Sequence, residues 1–392
     1  MKWQRLVVIG LLVSVLLGGC WNRREPELLA LITAVGFDYD AEADRYIIHL
    51  AVVNPLATQA GETGGGAPTT EMFWSISGSG FTPFGALRNL EGSTTRELYW
   101  AHARVVIIGE GLARRGIEDM LEFIERERQF RLTAFLAVVD GPIARLVSQA
   151  YPLEEEPGEA LDRQILLTSL NLATIPPVTL RQASVVLSRP GLDLMLPRLE
   201  ARPSHSGLDA PNPARASGSA VFSGNRMVGW FTEDETRGRE VITGQLRRAT
   251  LELEMEKPAT GRIAVELVSA KTTVAARVSG DCVTIDIDIR ADGRIQSHAG
   301  GMDLEFQGLH SEALERQVGD EVRRLVEKAV NRAKVLEADV FGFGELIYRT
   351  QPRTWERIKD EWPERLRELE VNTNVRVTIT RTGLVVEPVR AR

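Results

Sequence analysis

Cys20 is the residue best placed for covalent chemistry, because its thiol follows the small pair Gly18-Gly19 at the end of an apolar run. A cysteine thiolate is a strong nucleophile and can be alkylated. A short positive segment, Lys2–Arg5, precedes the uncharged run Leu6–Leu17. This run is shorter than the roughly 20 apolar residues that a membrane-spanning helix needs. A positive segment followed by about 7–15 apolar residues is typical of an export signal.

The residues around Cys20 also indicate what the thiol carries. Leu17-Gly18-Gly19-Cys20 resembles the bacterial lipobox, in which the cysteine is diacylglycerylated and the signal is cut just before it. We therefore predict a lipoprotein signal peptide over residues 1–19 and a diacylglyceryl cysteine, with acyl chains such as palmitate, at Cys20. Two chains anchor a protein stably where one does not, because each buried CH₂ contributes roughly 0.8 kcal/mol. The alternative is an ordinary signal peptide with an incidental cysteine.

The remaining polar residues do not form the spacing of a known catalytic motif. The histidines are scattered, without a His-Glu-x-x-His zinc pattern, and lie at His49, His102, His205, His298 and His310. The sequence contains no Walker phosphate loop and no Gly-x-Ser-x-Gly nucleophile elbow. We therefore expect no catalytic residues, no metal and no cofactor, and predict that the protein is not an enzyme.

Three clusters have competing interpretations. Asp281, Asp286 and Asp288 suggest a cation site, but a solvated strand face explains them more simply. Residues 154–156 are three glutamates that a solvated loop explains better than a metal clamp does. Trp355 and Trp362 lie seven residues apart and are more typical of core or interface anchors than of a ligand cage.

Composition excludes several function classes. The 392-residue chain is 43% hydrophobic and 26% charged, which is ordinary for a globular protein with a core. Its net charge of −7 argues against general nucleic-acid binding, which needs a basic face. Apart from Cys20, Cys282 is the only cysteine, so a lipidated Cys20 leaves no intramolecular disulfide.

The elements that position these residues begin with a strand pair, Leu28–Phe37 and Tyr46–Val53. Strands and helices then alternate, which predicts a mixed sheet with helices packed on it. The further segments predicted here are a strand at Phe73–Ser77, a helix capped by Thr82 with Phe84, Leu87 and Leu90 inward, a buried strand at Val105–Ile108, a helix at Gly111–Arg128, a strand at Leu132–Val139, and helices at Ala160–Leu172 and Leu180–Leu187.

Residues 201–219 hold three prolines with serine, glycine and asparagine, and are the best candidate for a linker. The segments predicted after it are a hairpin around Ser223–Arg226, alternating strands such as Val283–Ile289, a long helix from Ser311 to about Glu337, a helical stretch at Thr354–Glu368 interrupted by Pro363, and a last strand through Val375, Val377 and Ile379. We expect an α+β, multi-domain fold with mixed and antiparallel sheets and packed helices. The proposed domains are residues 20–200 and 201–392, with a sub-boundary near residue 246 left open.

Several segments in order resemble the Ger(x)C lipoprotein family, the C subunits of spore germinant receptors. Any one of these segments alone is weak evidence for the family. Five of them in the same order, after a lipobox, are a specific match to it. The blocks are Cys20–Glu25, Arg96–Ile117, Ala220–Gly238 with its Val228-Gly229-Trp230, Ala338–Glu345, and the pair Trp355 and Trp362. Asn22 stands where the family usually has aspartate, and Pro26 is unexpected so close to the anchor.

The resemblance implies a non-enzymatic, lipid-anchored subunit of a nutrient-sensing complex. Its expected place is the extracytoplasmic face of the spore inner membrane, beside two integral membrane subunits, A and B. Germination in response to nutrients then requires all three subunits. The resemblance supplies no catalytic residue to carry over.

Two questions stay open at this point. Trp230 belongs either to a contact with a partner or to the core. The competing function is an extracytoplasmic solute-binding lipoprotein of a transporter, which predicts two lobes rich in parallel βαβ units. The C-terminal half, with strands followed by helices, fits that architecture poorly.

Overall fold

The computed structural model describes residues 3–4, 28–53, 73–149, 151, 153–154, 156–202, 214–254, 261–280, 282–299 and 311–380. The predicted lipidation site, Cys20, lies outside these residues, as do Asp281 and Glu155. The described residues form two β-sheets with helices packed on them, so the predicted fold class, α+β with mixed sheets, is confirmed.

The larger sheet is mixed, with strand order β3-β2-β1-β5-β6-β7-β8-β9 and with β4 paired to β1. Its strands are β1 (Leu29–Asp40), β2 (Arg45–Val53), β3 (Phe73–Gly80), β4 (Glu97–Tyr99), β5 (Val105–Gly109), β6 (Phe135–Asp140), β7 (Met195–Ala201), β8 (Ala214–Ser223) and β9 (Arg226–Phe231). β1, β5, β6 and β7 run parallel to one another, and antiparallel strands flank them on both sides. The predicted pair β1–β2 and the predicted hairpin β8–β9 are confirmed.

Helices cover both faces of the larger sheet. They are α1 (Pro83–Glu91), α2 (Glu110–Arg115), α3 (Glu118–Arg126), α4 (Ile143–Ser148), α5 (Pro157–Leu172), α6 (Leu180–Leu187) and α7 (Glu233–Ile242), with a 3₁₀ turn at Trp100–His102. One apolar cluster includes the side chains of α1, α2 and α3, and a second includes those of α4 and α5. The all-apolar β5 lies between these layers, as predicted for a strand buried on both faces.

The smaller sheet has the order β10-β11-β12-β13. Its strands are β10 (Ala249–Glu254), β11 (Arg262–Ser279), β12 (Cys282–Ala299) and β13 (Glu370–Thr380). The helices of this part are α8 (Ser311–Leu336), α9 (Phe343–Thr350), α10 (Pro352–Ile358) and α11 (Trp362–Glu368), with a 3₁₀ turn at Lys359–Glu361. The apolar stripe predicted for the long helix is confirmed, because all eight of its residues, from Leu314 to Ala333, are buried.

Four details differ from the sequence predictions. The helix predicted over Gly111–Arg128 is two helices, because Gly116 adopts a φ of 132° between them. Thr82 caps α1 as predicted, but Phe84 points outward and is 53% exposed. The strand predicted from Leu132 begins at Phe135, and Leu132 is 51% exposed. β13 pairs with β12 in parallel, not in antiparallel orientation.

One hydrophobic core extends from the larger sheet into the smaller one. It joins Met195, Val221 and Phe231 of the larger sheet with side chains of β10–β13 and α8. The linker predicted over residues 201–219 is wrong for residues 214–219, because β8 begins at Ala214 and pairs with β7. β8 and β9 hydrogen-bond within the larger sheet, so a division by sheets falls after Phe231. The domains over residues 20–200 and 201–392 remain a proposal, as does the sub-boundary near residue 246.

Candidate functional site at the junction of the two sheets

Asp339 is the buried centre of the junction between the two sheets. It follows α8, which ends at Leu336 before Glu337 adopts a left-handed φ of 54°. The Asp339 side chain is 1% exposed, and its two carboxylate oxygens accept five N–H bonds. The donors are the backbone N–H groups of Phe341 (3.2 Å), Gly342 (2.9 Å) and Phe343 (3.1 Å) to Oδ1, and Gly344 N–H (2.7 Å) and Trp362 Nε1 (3.0 Å) to Oδ2.

Asp193 links this centre to the larger sheet. The Asp339 N–H donates to Asp193 Oδ2 at 2.8 Å, and the Asp193 N–H donates to the Asp339 carbonyl at 2.9 Å. Asp193 Oδ1 accepts the N–H of Gly224, at the tip of the β8–β9 hairpin, at 3.0 Å. The two aspartates therefore join the segment before β7, the hairpin tip and the segment after α8.

Burial and hydrogen bonding act in opposite directions on the pKa values of both carboxyl groups. Burial raises the pKa of Asp339 to about 6, while hydrogen bonds from Gly344, Phe343 and Trp362 act in the opposite direction. Burial also raises the pKa of Asp193. Both oxygens of the buried Asp339 carboxyl accept N–H donors, as burial of a polar group requires. This arrangement suits a joint between segments.

Asp193 lines a groove of about 620 Å³ between α5, α6 and α7. Its apolar lining includes Leu170 of α5, Val185 of α6 and Leu192 from the segment before β7. Leu170 and Val185 are each 40% exposed. The groove thus presents aliphatic side chains to solvent at the junction of the two sheets.

Four arginines line the same groove. Arg239 of α7 donates Nε to the Val340 carbonyl at 3.2 Å, and its guanidinium also bonds Glu240 and Gln245 at 2.8 and 2.9 Å. Arg189 lies 3.3 Å from Glu345. Those two arginines are therefore engaged in the walls of the groove.

Arg181 and Arg247 are exposed, as Arg189 is. Unlike Arg189, neither Arg181 nor Arg247 forms an ion pair with any carboxylate in the part of the chain that the structure describes. The two acidic residues of the lining, Asp193 and Glu240, already have the partners given above. The groove is accordingly basic within an acidic molecule, and its geometry fits a ligand that carries carboxylates beside apolar groups.

The structure also locates the other residues singled out from the sequence. Trp355 and Trp362 are buried, and their rings meet edge to face at 5.8 Å, so they belong to the core. Asp286 accepts hydrogen bonds from Arg277 and Asn372, and Asp288 accepts one from Asn374, on the outer face of the smaller sheet. No cluster of three metal-ligating side chains occurs among the described residues.

Trp230 of β9 is half-buried against the core. The Arg198 guanidinium carbon lies 4.9 Å from the Trp230 ring centroid, which is the geometry of a cation–π contact. Arg332 of α8 donates Nε to the Trp230 carbonyl at 3.1 Å. Trp230 thus packs within the protein and also ties β9 to α8, while its role in a partner contact remains a prediction.

Sequence reasoning missed Asp339, Asp193 and the groove. The sequence distinguishes the block Ala338–Glu345 only by its resemblance to the Ger(x)C family. Nothing in the local pattern of the block shows that the side chain of Asp339 is buried. A signal was present, however, because an Asp followed by Gly342-Phe343-Gly344 offers successive backbone N–H groups to one carboxylate.

Fold and junction together define the class: an α+β protein whose two mixed sheets share one core and a buried aspartate joint. Two family models match this chain, the spore germination protein N-terminal domain over residues 22–201 and the spore germination B3/GerAC-like C-terminal domain over residues 217–383. The chain belongs to the Ger(x)C family of spore germination proteins.

Relatives match over nearly their whole length. Spore germination protein KC of Bacillus subtilis (strain 168) is 26% identical over 401 residues, covering 98% of this chain and 97% of the relative. Spore germination protein GerQC of Bacillus cereus is 21% identical over 377 residues, covering 96% and 98%. The crystal structure of the GerBC protein matches with a TM-score of 0.57 and 15% identity, over 88% of this chain and 97% of that one, and this likeness shows the fold. No described helix is long and apolar enough to cross a membrane.

Proposed function

We propose that this protein is a lipid-anchored C subunit of a nutrient germinant receptor, held by Cys20 at the extracytoplasmic face of the spore inner membrane. Family membership supports a role in spore germination, and the family is one of germinant receptor subunits rather than of known enzymes. The observation that carries the proposal is the match of both family models, in order, over residues 22–201 and 217–383. The lipobox-like residues before Cys20 supply the anchor.

The partners are the integral membrane A and B subunits, and the groove between α5, α6 and α7 is the docking site. Its occupant is an extracytoplasmic segment of one of these subunits that carries carboxylates and aliphatic side chains. Charge complementarity supports this choice, because Arg181 and Arg247 are exposed without acidic partners among the described residues. Leu170 and Val185 provide the apolar surface beside them.

The alternative, a solute-binding lipoprotein, fits the fold less well. Two lobes of parallel βαβ units would enclose the ligand between them, but the smaller sheet is antiparallel except for the β12–β13 pair. Its outer face presents Arg277, Asp286 and Asp288 to the surface. Titrating the mature chain with amino acids and sugars separates the two functions, since saturable binding by the isolated chain would favour the transporter role.

The anchor is tested by fractionating spores and determining the mass of the native chain beside a Cys20→Ala variant. We expect a diacylated Cys20 in the inner membrane fraction of the wild type. The variant should lose both the membrane location and nutrient-triggered germination. A soluble wild-type chain that is cleaved at another residue would overturn the proposal and leave a secreted binding protein as the better explanation.

A further inference from the structure

The N-terminal part of the chain enters the larger sheet at Leu29, the first residue of β1. This residue marks one end of the sheet along the strand direction. Leu28 lies eight residues after Cys20, and eight fully extended residue steps span at most about 29 Å. A lipid on Cys20 therefore keeps this end of the sheet close to the bilayer, whatever path the intervening residues take. We call this surface the β1-start end and define it by Leu28, Trp74, Arg128, Arg131 and Leu132.

Strand register places Trp74 and Leu132 at the same end as Leu28. Trp74 of β3 pairs with Val52, which pairs in turn with Ile32 near the start of β1. On the other side, Phe135 begins β6 and pairs with Val105, which pairs with Ala34. Leu132 lies three residues before Phe135, so it also belongs to this end.

Three large apolar side chains are exposed there. Leu28 is 61% exposed, Trp74 is 53% exposed and Leu132 is 51% exposed. They lie at β1, at β3 and before β6, which are separated by four strand spacings, or about 19 Å, across the sheet. Tryptophan is enriched where proteins meet the interfacial region of a bilayer, because its ring is apolar and its N–H is polar.

Arginines surround Leu132. Arg131 precedes it, Arg181 donates its backbone N–H to the Leu132 carbonyl at 3.0 Å, and Arg128 lies on the same loop after α3. Arg128 and Arg131 are exposed and have no carboxylate partner among the described residues. Carboxylates also lie at this end: Glu127 directly precedes Arg128, Asp162 lies 3.9 Å from Arg104, and Glu97 pairs in register with Leu29.

The opposite end of the sheet carries acidic side chains at its strand ends, beside basic ones such as Arg45 and Arg115. β1 finishes there at Asp40, followed by Glu42 and Asp44, and β6 finishes at Asp140. Two exposed phenylalanines also lie at that end, Phe81 (69% exposed) and Phe84 (53% exposed), and each has a guanidinium against its ring. Arg45 lies 4.5 Å from the Phe81 ring centroid, and Arg88 lies 4.8 Å from that of Phe84.

We propose that the β1-start end faces an anionic phospholipid bilayer, with Leu28, Trp74 and Leu132 at the interface and Arg128 and Arg131 against lipid phosphates. This inference rests on the proposed anchoring through Cys20 and adds an orientation to it. The opposite end of the sheet, where Phe81 lies, then points away from the membrane. The groove arginine Arg181, next to Leu132, lies on the side where an integral membrane partner meets this body.

The orientation is tested with the mature chain, residues 20–392, in which Cys20→Ser and Cys282→Ser remove the native thiols. An N-terminal histidine tag holds it on vesicles through a nickel-chelating lipid, so the test does not depend on native lipidation. A bimane label is placed at Leu132→Cys or, as the matched control, at Phe81→Cys on the opposite end. We expect a nitroxide-labelled lipid in phosphatidylglycerol-containing vesicles to quench the label at position 132 and not the label at position 81.

Charge is tested with the same chain without its tether. Arg128→Gln with Arg131→Gln should lower its affinity for phosphatidylglycerol vesicles by roughly 30-fold, since each basic residue near an anionic surface contributes about 1 kcal/mol. Arg316→Gln with Arg349→Gln, which changes two exposed arginines on α8 and α9, should leave the affinity unchanged. Vesicles of phosphatidylcholine alone should bind all three proteins weakly.

Equal quenching at both positions, or stronger quenching at position 81, would overturn the orientation. Equal losses in the two double variants would show that overall charge, not this surface, governs vesicle binding. If Arg128→Gln with Arg131→Gln keeps vesicle binding but loses the A and B subunits, the surface binds protein and the bilayer assignment is wrong. A native Cys20 without lipid would refute the proposed anchor alone, because the tagged chain reports orientation independently.

Discussion

Asp339 Oδ2 accepts a hydrogen bond from Trp362 Nε1 at 3.0 Å, and both side chains are buried. This bond joins two of the segments that resemble the Ger(x)C family, the block after α8 and the tryptophan pair. The Asp339 carboxyl organises the segment after α8 and Trp362, while the Asp339 backbone bonds Asp193 of the larger sheet. The link between the two sheets therefore depends on two carboxyl groups, that of Asp339 on the smaller side and that of Asp193 on the larger side.

Replacing Asp339 with Asn should destabilise the protein by about 2–4 kcal/mol, because it puts an NH₂ group where an oxygen accepts buried donors. The side-chain shape is nearly unchanged, so the loss reports the hydrogen bonds rather than packing. Urea unfolding followed by tryptophan fluorescence measures it, since Trp355 and Trp362 lie at the joint. Asp360→Asn, on an exposed turn two residues before Trp362, is the matched control. Equal stability of the two variants would show that the Asp339 contacts do not hold the joint.

His49 should make the larger sheet sensitive to mild acid. Burial lowers the pKa of His49 below its usual 6.5, while the charge of Asp38 acts in the opposite direction. The unfolded chain therefore binds a proton at a higher pH than the folded chain does. The stability contribution is complete above pH 6.5 and is lost as the pH falls from 6.5 towards the folded-state pKa.

His49→Gln removes this titration, so the free energy of unfolding should fall less in the variant than in the wild type between pH 7.5 and pH 5. Nδ1 of His49 lies 2.8 Å from Ser77 Oγ, and a glutamine retains a polar partner for that hydroxyl. His102→Gln, at a solvent-exposed histidine, controls for the chemical change. Parallel pH profiles for wild type and His49→Gln would contradict the prediction.

Gly238 sets the distance between α7 and α8. A Cβ at this position would lie 2.1 Å from the Leu325 carbonyl oxygen and 2.8 Å from the Ala329 Cβ. Gly238→Ala should therefore push the helices apart and cost about 1–3 kcal/mol. Gly319→Ala, within α8, is the matched control, because its Cβ would meet Val377 at an ordinary 3.7 Å. The control should gain up to about 1 kcal/mol from helix propensity, so thermal unfolding should shift in opposite directions for the two variants.

Local sequence patterns predicted individual helices and strands, but they did not predict the contacts between Asp339 and Asp193 that join the two sheets. The stripe from Leu314 to Ala333, the Thr82 cap and the β8–β9 hairpin each depend on residues close in sequence, and each is confirmed. Asp339 could not be predicted in the same way, because its partner Asp193 is 146 residues distant. Its burial follows from tertiary packing, which no local periodicity encodes.

Phe84 shows the same limit on a smaller scale. Helical spacing placed it with Leu87 and Leu90, but α1 rests on the sheet through Ala86, Leu87 and Leu90. The short helix has room for one buried stripe, and Phe84 lies beside that stripe under Arg88. The groove was equally hidden from sequence, because its exposed arginines, Arg181 and Arg247, lie 66 residues apart along the chain.

The groove gives the sharpest test of how this subunit assembles. Arg181→Glu combined with Arg247→Glu reverses the two exposed charges and should repel the carboxylates of the proposed partner segment. If each arginine contributes about 1–2 kcal/mol, the double variant should bind the A and B subunits roughly 30-fold or more weakly. Co-purification of the three co-expressed subunits from detergent-solubilised membranes, across a salt series, measures the loss.

Folding controls make that loss interpretable. Arg181 and Arg247 form no ion pair within the described part of the chain, so their reversal should leave thermal unfolding almost unchanged. Arg316→Glu with Arg349→Glu, at exposed arginines on α8 and α9 away from the groove, carries the same change of charge as the double variant and should keep the complex intact. Leu170→Ser should weaken assembly without the salt dependence, because it removes apolar contact only. Full assembly by both the charge-reversed variant and Leu170→Ser would exclude the groove as the docking site and direct the search to other surfaces of the same body.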